Sequence, residues 1–385
     1  MNTLRQTTKT GTNFMLNNTR GALHFASAVI AAAALLMNIA AGPAAQAETA
    51  ATISVKNISP ADPLIQVTDC ARVARTPDVL RLDRFINANG GMQNDNPGAR
   101  IRFRSDARNI SARLKFTALH TRMDAVNSKG LYTVNGKITG TFQRDPKSND
   151  VTLAFPPNDE AAANDYELIM PYGDSVELAG LSLSDGKLLP PVPRPAFKYV
   201  AFGDSITHGF RAGDISRTYP FMIGGKLQWQ TVNMGFGSRR AVPADGDAIA
   251  ACGGDAVSIL IGFNDFYGSK PLANYVDDLK GLILHIRKQQ PDIPIFLITP
   301  LWSSEPAWAA SKIGLKLEDY RKAVRQVAAD SGDAHLHLID GLTLMDNLPE
   351  MTTDGIHPND KGFAQIAERL APVLNDVISK NMHGN

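Results

Sequence analysis

Apolar and polar positions alternate along the first half of the chain. In "ISARLKF", Ile110, Ala112, Leu114 and Phe116 fall on one face and Ser111, Arg113 and Lys115 on the other, the period-two signature of a half-buried strand. Comparable short runs, "IRFRSDA", "GLYTVNGKITGTFQ", "VTLAFPP", "YELIMPY" and "VELAGLSL", lie between about residues 52 and 188 with almost no helical periodicity among them. "VNGK" reads as a tight hairpin turn. This half is predicted to be an antiparallel all-β sandwich.

Beyond residue 197 the pattern changes. Continuous apolar runs ("KYVAFGDS", "QTVNMGF", "AVSILIGFND", "IPIFLITPL", "HLHLID") alternate with amphipathic stretches ("YPFMIGGKLQ", "LANYVDDLKGLILHIRKQ", "KLEDYRKAVRQVAAD", "NDKGFAQIAERLAPVLNDVI"). Buried strands alternating with helices predict an α/β fold of three layers, a parallel sheet flanked by helices on both faces. Between the two grammars, "KLLPPVPRPAF" places four prolines within six positions, a stiff segment poor in backbone donors. The expected organisation is a sandwich domain over residues 48–188, a Pro-rich linker over 189–196 and the α/β domain over 197–385.

The opening residues set a context. Arg5, Lys9 and Arg20 occur without an acidic residue ahead of the apolar core "FASAVIAAAALLMNIAAG", and Ala45 and Ala47 satisfy a small-residue cleavage rule. Residues 1–47 therefore read as a signal peptide cut between Ala47 and Glu48, and the mature chain as exported, periplasmic or secreted, with no integral membrane segment left. The whole chain carries 39 Lys and Arg against 38 Asp and Glu, a formal charge of +1. That balance offers no global field to hold nucleic acid or an anionic membrane. With two cysteines, Cys70 and Cys252, no thiolate metal cage can be built, although the pair could bridge the domains in an oxidising compartment. His335 and His337 alternate on a strand without a third ligand, so no metal is predicted.

Candidate chemistry gathers where strands end. Asp204 and Ser205 follow the first apolar run of the second half, Gly235, Gly237 and Ser238 the second, Asn264 and Asp265 the third, and sites in parallel sheets form at carboxyl ends. A serine hydroxyl needs a base. "TTDGIHPND" supplies one, with Asp354 and His357 three apart in a loop before the final helix, a spacing at which the carboxylate can hold Nδ1 while Nε2 faces the serine. Developing oxyanion charge would need donors: the Ser205 amide, an amide of the glycine segment 235–238, and the Asn264 side chain.

Taken together, "FGDSITHG", "NMGFGS", "IGFNDF" and "DGIHP" resemble, in order, the four blocks of the SGNH, or GDSL-type, hydrolase superfamily, over roughly residues 198 to 380. The resemblance implies a flavodoxin-like fold with Ser205 as nucleophile, His357 and Asp354 completing a catalytic triad, and Ser205, Gly237 and Asn264 forming the oxyanion hole. The preceding sandwich is similar in architecture to the jelly-roll module of some carbohydrate esterases. Two positions depart from the family. Ile206 replaces the usual Leu, an apolar exchange, and Ser238 occupies the position where the family commonly has its block-two glycine, leaving Gly237 or Ser238 to supply the amide.

Several neighbours read as structural. Asp204 braces its loop, His208 is a partly buried, hydrogen-bonded histidine, and Arg239 with Arg240 is a solvated charge pair, the alternative being an anionic substrate. Trp302 and Trp308 either stack on a sugar or cap the core. No substrate-binding residue is singled out. The leading expectation is a serine esterase that hydrolyses acyl, chiefly acetyl, esters of a small-molecule or polysaccharide substrate without metal or organic cofactor. The alternatives are an O-acetyltransferase using the same triad, and a carbohydrate-binding protein whose second domain is non-catalytic.

Overall fold

The alternation of the first half becomes strand pairing. The structure is a computed structural model that describes residues 55–84, 95–119, 128–304 and 309–383; the leader and Trp308 lie outside the described residues. Among these, twelve strands form the all-β region: β1 (Val55–Ile58), β2 (Gln66–Thr68), β3 (Arg72–Arg75), β4 (Leu80–Asp83), β5 (Arg100–Ser105), β6 (Asn109–Leu119), β7 (Gly130–Val134), β8 (Lys137–Phe142), β9 (Asp150–Ala154), β10 (Asn164–Ile169), β11 (Asp174–Ser184) and β12 (Leu188–Leu189). One sheet runs β3-β4-β11-β6-β9 with β1 also on β11, and the other β12-β5-β10-β7-β8 with β2 also on β5. Their pairs are antiparallel, as in the long β6–β11 ladder. On β6, Ile110, Ala112, Leu114 and Phe116 are buried while Arg113 and Lys115 face solvent. Phe103 on β5 stacks on its cross-strand partner Tyr166 on β10 at 5.3 Å, and Phe155, just after β9 of the other sheet, meets Tyr166 edge-on at 5.1 Å, arrangements that suit the ring quadrupoles. The β7–β8 hairpin turns at Asn135 and Gly136, with φ of 51° and 76°, as a tight two-residue turn requires.

The second region is a parallel sheet of β13 (Lys198–Gly203), β14 (Gln230–Gly235), β15 (Ala256–Leu260), β16 (Ile295–Ile298) and β17 (Leu336–Ile339), in the spatial order β14-β13-β15-β16-β17. This is the flavodoxin-like order, whose switch point lies between its first and third strands, β13 and β15. Every residue of β15 and β16 is buried, as expected for strands covered on both faces. Alternate residues feed two cores. Tyr199, Ala201 and Phe296 pack with α2 (Tyr219–Leu227) and α7 (Asp360–His383), and Val200, Phe202 and Leu297 with α3 (Asp245–Ala251), α5 (Leu272–Gln289) and α6 (Leu317–Ser331). On α5 the buried stripe is Tyr275, Leu279, Leu282, Ile283 and Ile286, the spacing of one helix face. Among the described residues no helix is long and apolar enough to cross a membrane.

The two regions share buried contacts, and the described residues belong to one compact unit. Leu131, Ile169 and Tyr172 of the all-β region join the core beneath α2 and α7. Asp69 Oδ1 accepts from the Thr231 amide of β14 at 2.7 Å. Glu167 takes Arg100 at 2.7 Å, Arg102 at 2.8 Å and Arg194 at 3.7 Å. Burial pushes Glu167 up, but these three guanidinium groups reverse the effect and hold its carboxyl below the usual range. The Pro-rich segment is fastened on both sides: β12 pairs with β5, and Gln230 Nε2 donates to the Pro195 carbonyl at 2.8 Å.

Candidate active site

At the switch point β13 runs straight into a single helical turn, α1 (Ser205–His208). Asp204 caps it, Oδ1 accepting from the Ile206 amide at 3.0 Å, which satisfies one of the amides that a helix start leaves over. Gly209 ends it at a φ of 107°, with its N–H on the Ser205 carbonyl at 3.1 Å; a side chain there would be strained. The turn splits its own residues. Thr207 and His208 point inward and are fully buried, whereas Ser205 is only partly so.

The facing group arrives on the loop between β17 and α7. An isolated bridge between Thr352 and Pro358 and the Thr353 amide on the His357 carbonyl, at 2.9 Å, close this loop into a tight turn. Ser303 Oγ and the Ser304 amide both donate to the Gly355 carbonyl at 2.9 Å, tying it to the segment after β16. Within it Asp354 Oδ1 accepts from the amides of Ile356 and His357, and His357 Nδ1 lies 2.9 Å from Asp354 Oδ2. His357 Nε2 lies 2.9 Å from Ser205 Oγ, across 152 residues of sequence. Burial alone would push Asp354 up, but the hydrogen bonds from the His357 imidazole and amide prevail and hold the carboxyl far below the usual carboxylate range. An ionised carboxylate on Nδ1 fixes the tautomer whose Nε2 can accept a proton, so the array can draw a proton from a hydroxyl as it attacks.

Two further strand ends close the site. Asn264 lies on α4 (Phe263–Tyr267), after β15, and its Nδ2 donates to Asp204 Oδ2 at 3.2 Å. That amide nitrogen carries two hydrogens, so one bond to Asp204 orients it and leaves the second to donate. After β14, the Gly235 amide donates to Asn233 Oδ1 at 2.8 Å and the Phe236 amide to the Gly203 carbonyl at 3.0 Å. Both are therefore committed to the protein, and Gly237 and Ser238 follow them in the chain. A β-carbon at Gly235 would stand 2.1 Å from the His208 amide nitrogen, so only glycine lets this strand end pack on α1.

Residues 201–365 match the family model described as GDSL-like lipase/acylhydrolase. This part of the chain is a GDSL-like lipase/acylhydrolase domain. Solved structures resemble the chain over nearly all of their own length. A salicylyl-acyltransferase from a tetracycline biosynthetic pathway is 21% identical with a TM-score of 0.73, covering 83% of this chain and 98% of its own. A family two carbohydrate esterase from Cellvibrio japonicus is 16% identical at a TM-score of 0.66, covering 85% and 99%. An acetyl xylan esterase from the rumen bacterium Butyrivibrio proteoclasticus is 14% identical at 0.61, also covering 85% and 99%. At such identities the likeness is one of fold. A sequence comparison with curated proteins gives no match.

Around the GDSL domain's serine the structure adds groups that the pattern of residues did not reveal. Phe210 meets the His357 ring edge-on at 4.7 Å. Arg211, in the left-handed region at a φ of 75°, lays its guanidinium over Phe210 and places Nε 3.5 Å from Asp354 Oδ2. Arg84 and Asp95 reach in from the all-β region, Asp95 Oδ2 standing 2.7 Å from His208 Nε2. His208 is thus fully rather than partly buried, and belongs to this second cluster rather than to the Ser205–His357 pair. The sequence carried a hint for Arg211 in its adjacency to the GDSL block, and none for Arg84 or Asp95.

Burial pushes Asp204 up to about 6, a rise that Asp265 reinforces and that the Ile206 amide, His357 and Asn264 oppose. Its place beneath Ser205 is that of a brace, holding one cap amide and the Asn264 side chain. Arg239 corrects another expectation: it is buried and paired with Asp245, Nε to Oδ2 at 2.9 Å, not solvated. A guanidinium removed from water must find such a carboxylate, and Asp245 on α3 lies close enough to serve. Arg240 is exposed. Trp302 packs partly buried against the α2–α7 core. Cys70 and Cys252 are both free thiols, each pushed up to about 12 by burial. Among the described residues no group of three potential metal ligands converges.

Proposed function

We propose that the chain is an exported serine esterase that hydrolyses acyl, chiefly acetyl, esters carried by a carbohydrate. The observation that carries the reading is the hydrogen-bond distance between Ser205 Oγ and His357 Nε2, with Asp354 behind the imidazole. Ser205 Oγ adds to the ester carbonyl carbon as Nε2 takes its proton. The resulting oxyanion is met by the Ser205 amide, the Asn264 side chain and an amide of the Gly237 segment, each worth about 3 kcal/mol of barrier. The tetrahedral species collapses to an acyl-enzyme as His357 returns the proton to the departing sugar oxygen. Water, deprotonated by the same imidazole, then releases the acid and restores Ser205. The carbohydrate esterase folds among the neighbours support a sugar as the alcohol half, and the leader pattern supports export.

A second reading is favoured by the salicylyl-acyltransferase fold: the same acyl-enzyme hands its acyl group to a hydroxyl acceptor instead of water. Ser205→Ala is expected to abolish turnover of a short-chain aryl acetate while the chain stays folded, and full retention of activity would remove both readings. Adding an oligosaccharide acceptor and following acetate release against acetylated product separates them.

A further inference from the structure

A buried trio joins the all-β region to the segment next to the serine. Arg84 follows β4, Asp95 precedes β5, and His208 is the last residue of α1; their side chains are 5%, 0% and 0% exposed. Asp95 Oδ1 stands 3.4 Å from Arg84 Nη1 and Oδ2 stands 2.7 Å from His208 Nε2. Arg84 Nη2 in turn donates to the Gly235 carbonyl and, at 3.5 Å, to that of Asn233. The Phe236 ring is held by two of the same groups. The His208 ring lies nearly parallel to it, at 15° and 6.0 Å, and the Arg84 guanidinium lies 5.8 Å from its centroid. With the Phe236 amide already on the Gly203 carbonyl, carbonyl, amide and ring of this corner are all fixed just before Gly237.

We propose that Arg84 and Asp95 are positioning residues for the oxyanion donors, so that the all-β region is an integral part of the catalytic apparatus and not only a neighbour of it. The inference rests on the serine-esterase reading above. An oxyanion donor is effective only when its direction is set before charge develops, and misplacement of about 1 Å in such a group costs on the order of a hundredfold. Arg84 sets the Gly235 carbonyl, and through it the peptide planes that lead to Gly237. Asp95 keeps both Arg84 and His208 in place, since a guanidinium so deeply buried needs its carboxylate. The Arg100–Glu167–Arg102 cluster lies within the all-β region, on the paired strands β5 and β10, without touching this corner, and so provides the control for loss of a buried ion pair elsewhere in that region.

The test compares the purified full chain with Arg84→Met, Arg84→Lys, Asp95→Asn and Glu167→Gln. It follows aryl acetate hydrolysis, thermal unfolding and the rate at which a fluorophosphonate labels Ser205. Arg84→Met and Asp95→Asn are expected to lower kcat by about 10- to 100-fold with KM changed less than about threefold. Labelling should slow in parallel, because the phosphonyl oxygen needs the same donors, and Arg84→Lys should recover part of the loss. Glu167→Gln is expected to lower the melting temperature and leave kcat unaltered. Folded Arg84→Met or Asp95→Asn with kcat within about twofold of the parent overturns the inference, as does a loss confined to KM. Should Arg84→Met not fold, Asp95→Asn, which keeps the volume, decides. A parent that neither hydrolyses esters nor labels at Ser205 sinks the esterase reading and this inference with it; an active, labelled parent with unaffected variants sinks the inference alone.

Discussion

The carboxyl edge of the parallel sheet and the two antiparallel sheets in front of it are made from similar apolar strands, yet polar chemistry collects only at the former. Hairpin connections send successive strand ends to opposite poles of a sheet, so a turn such as that at Asn135 and Gly136 serves its own pair of strands and is not gathered with the turns at the other pole. A parallel sheet with helical returns brings every strand to the same edge. Asp204 with Ser205, Gly235 to Ser238, and Asn264 each follow a different strand, β13, β14 and β15, and meet because those strands are neighbours in the sheet. The loop bearing Asp354 and His357 follows β17 and reaches the same edge. The direction of the connections, more than the composition of the strands, separates the region that carries the candidate site from the region that supports it.

That contrast can be broken experimentally, and the largest expected effect lies at the reacting edge. Asp354→Asn should lower kcat by about 10⁴-fold, through the wrong imidazole tautomer, with a melting temperature close to the parent's; comparable loss of both would deny the division. Phe116→Ala, in the sandwich core, should instead cost about 3–5 kcal/mol of stability in chemical denaturation, with kcat of the folded fraction unchanged. Asn264→Ala is expected to lower kcat about 10²–10³-fold, near 3 kcal/mol, at little cost in KM. Smaller again is the effect of pH through Asp204. Its folded value, about 6, lies above that of an ordinary aspartate, so the folded chain holds the proton more tightly and stability falls as pH rises from about 4 to about 6. Asp204→Asn should remove that slope, a difference of at most about 3 kcal/mol between the two unfolding curves. Asp354, held low, acts in the opposite sense below about pH 4. Least of all, Gly136→Ala in the hairpin should cost about 1 kcal/mol, read from the melting temperature.

Much of this arrangement is legible in the sequence wherever the signal is local and periodic. Ile110 to Phe116 alternate as they pack, and the stripe on α5 and the apolar runs of β15 and β16 report their own burial. The serine, the histidine and the aspartate were readable because each stands in a short block that must keep a fixed local geometry: a capped turn, a closed loop. What sequence did not show depends on partners distant along the chain. Arg239 looks like a surface charge until Asp245 is seen beside it, and nothing near Arg84 tells that its guanidinium grips a carbonyl some 150 residues later, at Gly235. Short elements were equally silent, since the four residues of α1 and the seven of α3 are too few to display a helical period.

The 152 residues that separate Ser205 from His357 bear on how the protein is born. A chain made from its amino end carries the serine into the growing fold well before the ribosome has supplied the imidazole, and the anchoring helix α7 comes later still. On the serine-esterase reading, a product cut short ahead of residue 350 would hold at Ser205 an alcohol with no base beside it. On that same reading, hydrolytic power is thus withheld until the chain has been made past His357.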